Sequence, residues 1–177
     1  MLKRKIYNEL VNTCFNAADS HVGLALSANH ATQKCYMADT GLLVTHAFQD
    51  KKYTDNELYR AILFDRLNIN EGMIMENIVA QMLIANGHKL YFYSKPDNGD
   101  ASSRMEIDFL ITKNKVTSRH NIQGIEVKST KRYTLSSLKK FKAKYAEYAD
   151  ACYVLHTSDF KEEDGIIYLP VYMASMM

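Results

Sequence analysis

The residues with the clearest chemical potential are Asp108, set among apolar neighbours, and the run Glu126-Val127-Lys128. Side chains alternate along a strand, so a strand through this run puts Glu126 and Lys128 on one face. Buried charges are tolerated when paired or bound to metal. Two carboxylates and an ammonium brought together on adjacent strands would meet that condition and would also make a cation site. Asp and Glu oxygens are the hard ligands that Mg²⁺ or Mn²⁺ accepts, and the Val127 carbonyl could add a third. A lysine there can orient or deprotonate an attacking water while the ion stabilises charge on a phosphate. Glu76 belongs with this group. On a helix it falls at the edge of the apolar stripe, beside Leu83, where a carboxylate faces inward as a further ligand or as the partner of one.

Several elements must position these groups. A helix is expected over Met73 to Asn86, with Met75, Ile78, Val79, Met82 and Leu83 on one stripe and Gly87 as its stop. Three strands follow, at Lys89 to Ser94, Met105 to Thr112 and Asn121 to Ser129, with turn chemistry at Pro96-Asp97-Asn98-Gly99-Asp100. In the second strand, alternation puts Met105, Ile107, Phe109 and Ile111 on one face and Glu106, Asp108 and Leu110 on the other. Thr134 then caps a helix bearing Leu135, Leu138, Phe141 and Tyr145. Late strands at Ala151 to His156 and Ile166 to Val171 flank the acidic turn Glu162 to Gly165. Upstream, residues 2 to 14 read as a short helix, Asn16 to Asn29 as turn, strand and turn, Tyr36 to Val44 as a further apolar piece, and Asp55 to Leu67 as a helix. Helix, three strands, helix and strand imply a mixed α/β sheet covered by helices.

The chain has 177 residues, 47% apolar and 24% charged, which fits one domain, or one domain with an appendage, around a sizeable core. No apolar stretch approaches the roughly 20 residues that a membrane span needs. The basic start Met1 to Lys5 is followed by Asn8, Glu9, Asn12 and Thr13 in place of the apolar segment of a signal peptide. A cytoplasmic location is therefore expected. Cys14, Cys35 and Cys152 are odd in number and widely spaced, and read as reduced thiols. A net charge of +2 is too balanced to imply nucleic-acid binding by itself, but Glu126 to Lys144 holds seven basic residues against one acid. Of these, Lys131 and Arg132 beside the strand end are the better substrate-phosphate contacts, while the helix lysines read as a solvated face.

The order Glu76, Asp108, Glu126-x-Lys128 resembles the PD-(D/E)xK nuclease superfamily, of restriction-endonuclease-like fold. Tyr36-Met37-Ala38-Asp39-Thr40-Gly41-Leu42-Leu43, Glu76-Asn77-Ile78-Val79-Ala80, Glu106-Ile107-Asp108-Phe109, Glu126-Val127-Lys128-Ser129 and Leu135-Ser136-Ser137-Leu138 together resemble the uncharacterised C-terminal domain attached to many prokaryotic AAA-type ATPases. The resemblance implies residues 36–177 as a nuclease-like domain and residues 1–35 as a partial, winged-helix-like segment. It also implies a truncated gene, a cloned fragment or a stand-alone relative. Its further implications are Mg²⁺ or Mn²⁺ on Asp108, Glu126, Val127 and Glu76, catalysis by Lys128 with those acids, DNA as partner, an ATPase module in cis or trans, and a homodimer. No G-x-x-x-x-G-K-[ST] phosphate loop occurs among the seven glycines, so this chain is not expected to be the ATPase. Glu106-Ile107 stands where the superfamily's proline would be.

The rival reading is a non-catalytic docking or regulatory module derived from a nuclease fold, its charges retained as an ion-pair cluster. Asp39-Thr40-Gly41 matches an aspartic-protease tripeptide, but that chemistry needs two such aspartates sharing a proton, so it reads as a turn after a strand. The six histidines show no metal-binding spacing.

Overall fold

The computed structural model describes residues 11–17, 26, 28–48, 57, 60, 70–95, 104–113 and 121–177. Among them run β1 (Val11–Ala17), β2 (Ala28–Met37), α1 (Thr40–Phe48), α2 (Glu71–Ala85), β3 (Tyr91–Lys95), β4 (Met105–Thr112) and β5 (Ile122–Lys128). Next come α3 (Ser136–Lys144), β6 (Ala149–His156), β7 (Lys161–Glu163), β8 (Ile166–Pro170) and a 3₁₀ turn (Val171–Met176). The strands form one mixed sheet in the order β2-β1-β3-β4-β5-β6-β8-β7. β5, β6 and β8 are mutually parallel, as are β1 and β3, while β3-β4, β4-β5, β1-β2 and β7-β8 are antiparallel.

Each sheet face carries its own apolar cluster. Val79, Ala80 and Leu83 of α2 pack with Phe92, Phe109, Ile125, Val127 and Leu155 on one face. Leu138 and Phe141 of α3 pack with Tyr93, Ile107, Leu110, Ile122 and Val154 on the other. Apolar burial of this kind is the main favourable term in folding. Gly124 is what lets α3 lie close, because a Cβ there would sit 3.2 Å from the Phe141 ring.

The α2 helix starts where Asn70 accepts a hydrogen bond from the Met73 amide at 3.2 Å, and it stops before Gly87 at φ +84°. That conformation suits glycine. Buried Asn77 of α2 grips the end of β2, accepting from the Met37 amide at 2.7 Å and donating to the Met37 carbonyl at 3.1 Å. Asp39 starts α1, its side chain accepting from the Leu42 amide at 2.9 Å. The Asp39-Thr40-Gly41 tripeptide is thus a helix start after a strand.

Three expectations change, and a fourth falls largely outside the described residues. The helix foreseen over residues 2 to 14 is strand from residue 11 onward, because Cys14 is wholly buried and β1 is paired on both edges; its earlier part lies outside the described residues. Thr134 does not cap α3, whose N-cap position is Leu135 with no side-chain cap. Strict alternation in β4 fails. Tyr93 pairs with Ile107 but Tyr91 with Leu110, an extra residue on β4 that constitutes a β-bulge around Asp108. Ile107 consequently packs on the α3 face and Phe109 on the α2 face. Lastly, the helix foreseen over Asp55 to Leu67 lies outside the described residues except for 57 and 60, which are helical. The Pro96 to Asp100 turn also lies outside them.

Candidate functional site

The candidate site sits where β4 and β5 part. Their ladder runs from Thr112↔Ile122 to Phe109↔Ile125 and goes no further. Beyond it, the Val127 amide donates to Asp108 Oδ2 at 2.8 Å, so a side chain takes the place of the next backbone acceptor. The N–H and C=O of a strand residue project to the same edge. The Val127 carbonyl therefore faces this fork as well.

Glu126, 3% exposed, sits on the α3 face. Its Oε2 lies 2.9 Å from Lys128 Nζ, and the Leu138 amide in the first turn of α3 helps to lower its proton affinity. Glu76 points inward, as expected, and accepts from the Tyr36 hydroxyl at 3.1 Å.

The electrostatics follow from burial. Desolvation pushes the proton affinities of Glu76, Asp108 and Glu126 above the ordinary carboxylate range. Repulsion from Asp108 adds to this at Glu76 and Glu126, while the Val127 amide and Lys34 oppose it at Asp108 and Lys128 opposes it at Glu126. Burial also works against the Lys128 ammonium, but Glu126, Asp108 and Glu76 outweigh it and hold its pKa above the usual lysine value. Lys128 is therefore charged at neutral pH. A charged ammonium there can orient a water or a phosphate.

Three neighbours were not singled out by sequence. Lys34 of β2 lies 3.1 Å from Glu106 Oε1 and 4.0 Å from Asp108 Oδ1. Tyr36 holds Glu76. His156, buried, stands opposite Lys128 in the β5-β6 register, with Nδ1 3.5 Å from the Tyr133 hydroxyl and no partner for Nε2 among the described residues. Lys34 and Tyr36 reach the site through strand pairing far from it in sequence, for which no local spacing is a signal.

The donors are hard oxygens, with the Asp108 carboxylate and Val127 carbonyl turned into one fork, and the Asp108 charge raises the proton affinity of both Glu76 and Glu126. That chemistry suits a divalent cation. Among the described residues no three His, Cys, Asp or Glu side chains form a group that could hold a metal ion as they stand, so Glu126 would have to leave Lys128 to join one. Lys131 and Arg132 are exposed beside the end of β5. The helix lysines are engaged within the protein: Lys139 with Asp164, Lys140 with the Arg104 carbonyl, Lys142 with the Asp164 and Gly165 carbonyls, and Lys144 with Tyr93. A groove of about 730 Å³ lined by His88, Thr112, Gln123 and Tyr153 lies at the far ends of β4 and β5, and no Asp or Glu among the described residues lines it.

A family model described as Domain of unknown function (DUF4143) matches residues 71–173, more than half of the chain. The chain belongs to this family. The DUF4143 match spans Glu76, Asp108, Glu126 and Lys128, whereas Lys34 and Tyr36 precede it. No curated protein and no solved structure matches the DUF4143 chain. No helix among the described residues is long and apolar enough to cross a membrane.

Proposed function

We propose that this chain is a nuclease-like domain of restriction-endonuclease-like fold, in which the fork between β4 and β5 binds Mg²⁺ or Mn²⁺ and hydrolyses phosphodiesters in DNA. The observation that carries this reading is the fork itself, where the Val127 amide donates to Asp108 Oδ2, with the Glu126–Lys128 pair flanking Val127 on β5 and Glu76 inward from α2. Support also comes from the element order α2, β3, β4, β5, α3, β6, which agrees with the helix, three strands, helix and strand behind the superfamily resemblance. Asp108, Glu126, Glu76 and the Val127 carbonyl would hold the cation, which when bound would stabilise charge on the phosphate and lower the pKa of a water.

The chain's own groups do the rest. Lys128, freed from Glu126 when that carboxylate turns to the ion, presents a charged ammonium that orients water and phosphate. Lys131 and Arg132 bind flanking backbone phosphates, Arg132 with a planar fork suited to them. The same reading includes an ATPase module in cis or trans, a winged-helix-like segment over residues 1–35, a possible homodimer and a cytoplasmic location.

The test is incubation of supercoiled plasmid with the protein in Mg²⁺, beside Asp108→Asn and Glu126→Gln. Nicking that needs the ion and is lost in both variants supports the reading, and plasmid left intact at high enzyme concentration refutes it.

A second reading, a docking or regulatory module without catalysis, is favoured by one observation: Glu126 is already paired with Lys128 at 2.9 Å. It expects salt-dependent DNA binding or partner binding that persists in Glu126→Gln, and ion-dependent nicking abolished by that change would contradict it.

A further inference from the structure

Lys34 belongs to the β1-β2 hairpin, outside the family match, yet its ammonium ends inside the carboxylate cluster. The side chain lies across the α2 face of the sheet with Nζ 5.2 Å from the centre of the Phe92 ring, a cation–π placement that steadies it. Asp108 has two oxygens. Oδ2 is occupied by the Val127 amide, and Oδ1, the one left for a cation, is the oxygen that Lys34 approaches at 4.0 Å.

A magnesium ion sits about 2.0 to 2.1 Å from a carboxylate oxygen. An ion on Asp108 Oδ1 would meet the Lys34 ammonium as a close like charge in a partly buried site, where repulsion is weakly screened. Glu106 offers the ammonium another station. Its Oε1 is nearer at 3.1 Å, and its side chain is 46% exposed, so Lys34 can swing outward on its flexible stem without losing a counter-ion.

We infer that Lys34 is an internal counter-cation that competes with the divalent ion for Asp108 Oδ1 and so sets the cation affinity of the site, with Glu106, already its nearer partner at 3.1 Å, keeping the ammonium when the ion enters. This rests on the cation-binding reading above. It makes the N-terminal hairpin a determinant of cation affinity, since Lys34 is held in place by the pairing of β2 with β1 and by the grip of Asn77 on Met37.

The experiment is a Mn²⁺ titration of the full chain, following free Mn²⁺ by electron paramagnetic resonance, for wild type, Lys34→Met and Lys34→Arg, with circular dichroism to establish that each is folded. Lys34→Met is expected to bind Mn²⁺ at least about tenfold tighter, and Lys34→Arg, which keeps the charge, to stay near wild type. Wild-type binding that Lys34→Met leaves unchanged or weakens overturns this inference alone, as does equal tightening by Lys34→Arg. No Mn²⁺ binding by any of the three overturns both this inference and the cation-binding reading. If Lys34→Met fails to fold, Lys34→Gln carries the same expectation.

Discussion

The Asp108 carboxylate accepts a hydrogen bond from the backbone amide of Val127 at 2.8 Å, at the point where the β4-β5 ladder ends. One side chain thereby closes the sheet and leaves its second oxygen facing Lys34 at 4.0 Å. The two roles separate by substitution. Asp108→Asn retains an oxygen acceptor for the amide and should unfold within about 1 kcal/mol of wild type, while Asp108→Ala orphans that amide and costs about 1 to 3 kcal/mol. Urea denaturation of both variants measures this, and equal stabilities would show that the bond contributes nothing.

Glu126 is almost wholly buried and depends on Lys128 for its counter-charge. Removing one partner of a buried pair leaves an uncompensated charge, at about 3 to 5 kcal/mol. Because Lys128 keeps 25% of its side chain exposed, the lower end is expected for Lys128→Met. Neutralising the partner as well, in Glu126→Gln with Lys128→Met, should recover most of the loss. Thermal unfolding of the single and double variants gives the comparison, and additive losses would count against a coupled pair.

Folding raises the proton affinity of Glu76, Asp108 and Glu126, so in this range the native state binds more protons than the unfolded chain. The stability they contribute is present below the ordinary carboxylate pKa values and is lost as pH rises through the raised folded ones. The stability difference between wild type and Glu76→Gln should therefore shift against wild type as pH rises above the ordinary glutamate pKa. Chemical denaturation at a series of pH values reads it, and a difference that moves in wild type's favour would reverse the assigned sign.

Burial pushes the thiols of Cys14 up to about 12 and Cys152 up to about 11, and both are shielded from solvent, whereas Cys35 is exposed. Since the thiolate is the reactive form, iodoacetamide at about pH 8 should label Cys35 in the native protein, and Cys14 and Cys152 only in denaturant. Peptide mapping by mass spectrometry distinguishes the three. Rapid native labelling of Cys14 would mean that β1 does not stay in the sheet.

Much of the site was legible because its signals are local. The Glu126-Val127-Lys128 alternation holds, with Ile125 and Val127 on the α2 face and Gly124 under α3. The Asn70 cap and the Gly87 stop frame the expected helix within a few residues of its foreseen ends. What was not legible depends on long-range pairing. The bulge at Asp108 appears only in the register against β3, and Lys34 reaches Glu106 by lying over Phe92. Leu2, Ile6, Leu10 and Val11 fall at helical spacing, but from residue 11 onward burial of Cys14 and pairing on two edges prevail over it.

The central claim is that the β4-β5 fork holds a divalent ion, and a crystal grown in Mn²⁺ and measured at the manganese absorption edge tests it most directly. The account predicts one anomalous peak about 2.2 Å from oxygens of both Asp108 and Glu126, with Glu126 turned away from Lys128 Nζ. A saturating Mn²⁺ soak that leaves the fork without a peak, and Glu126 still paired to Lys128, would contradict it.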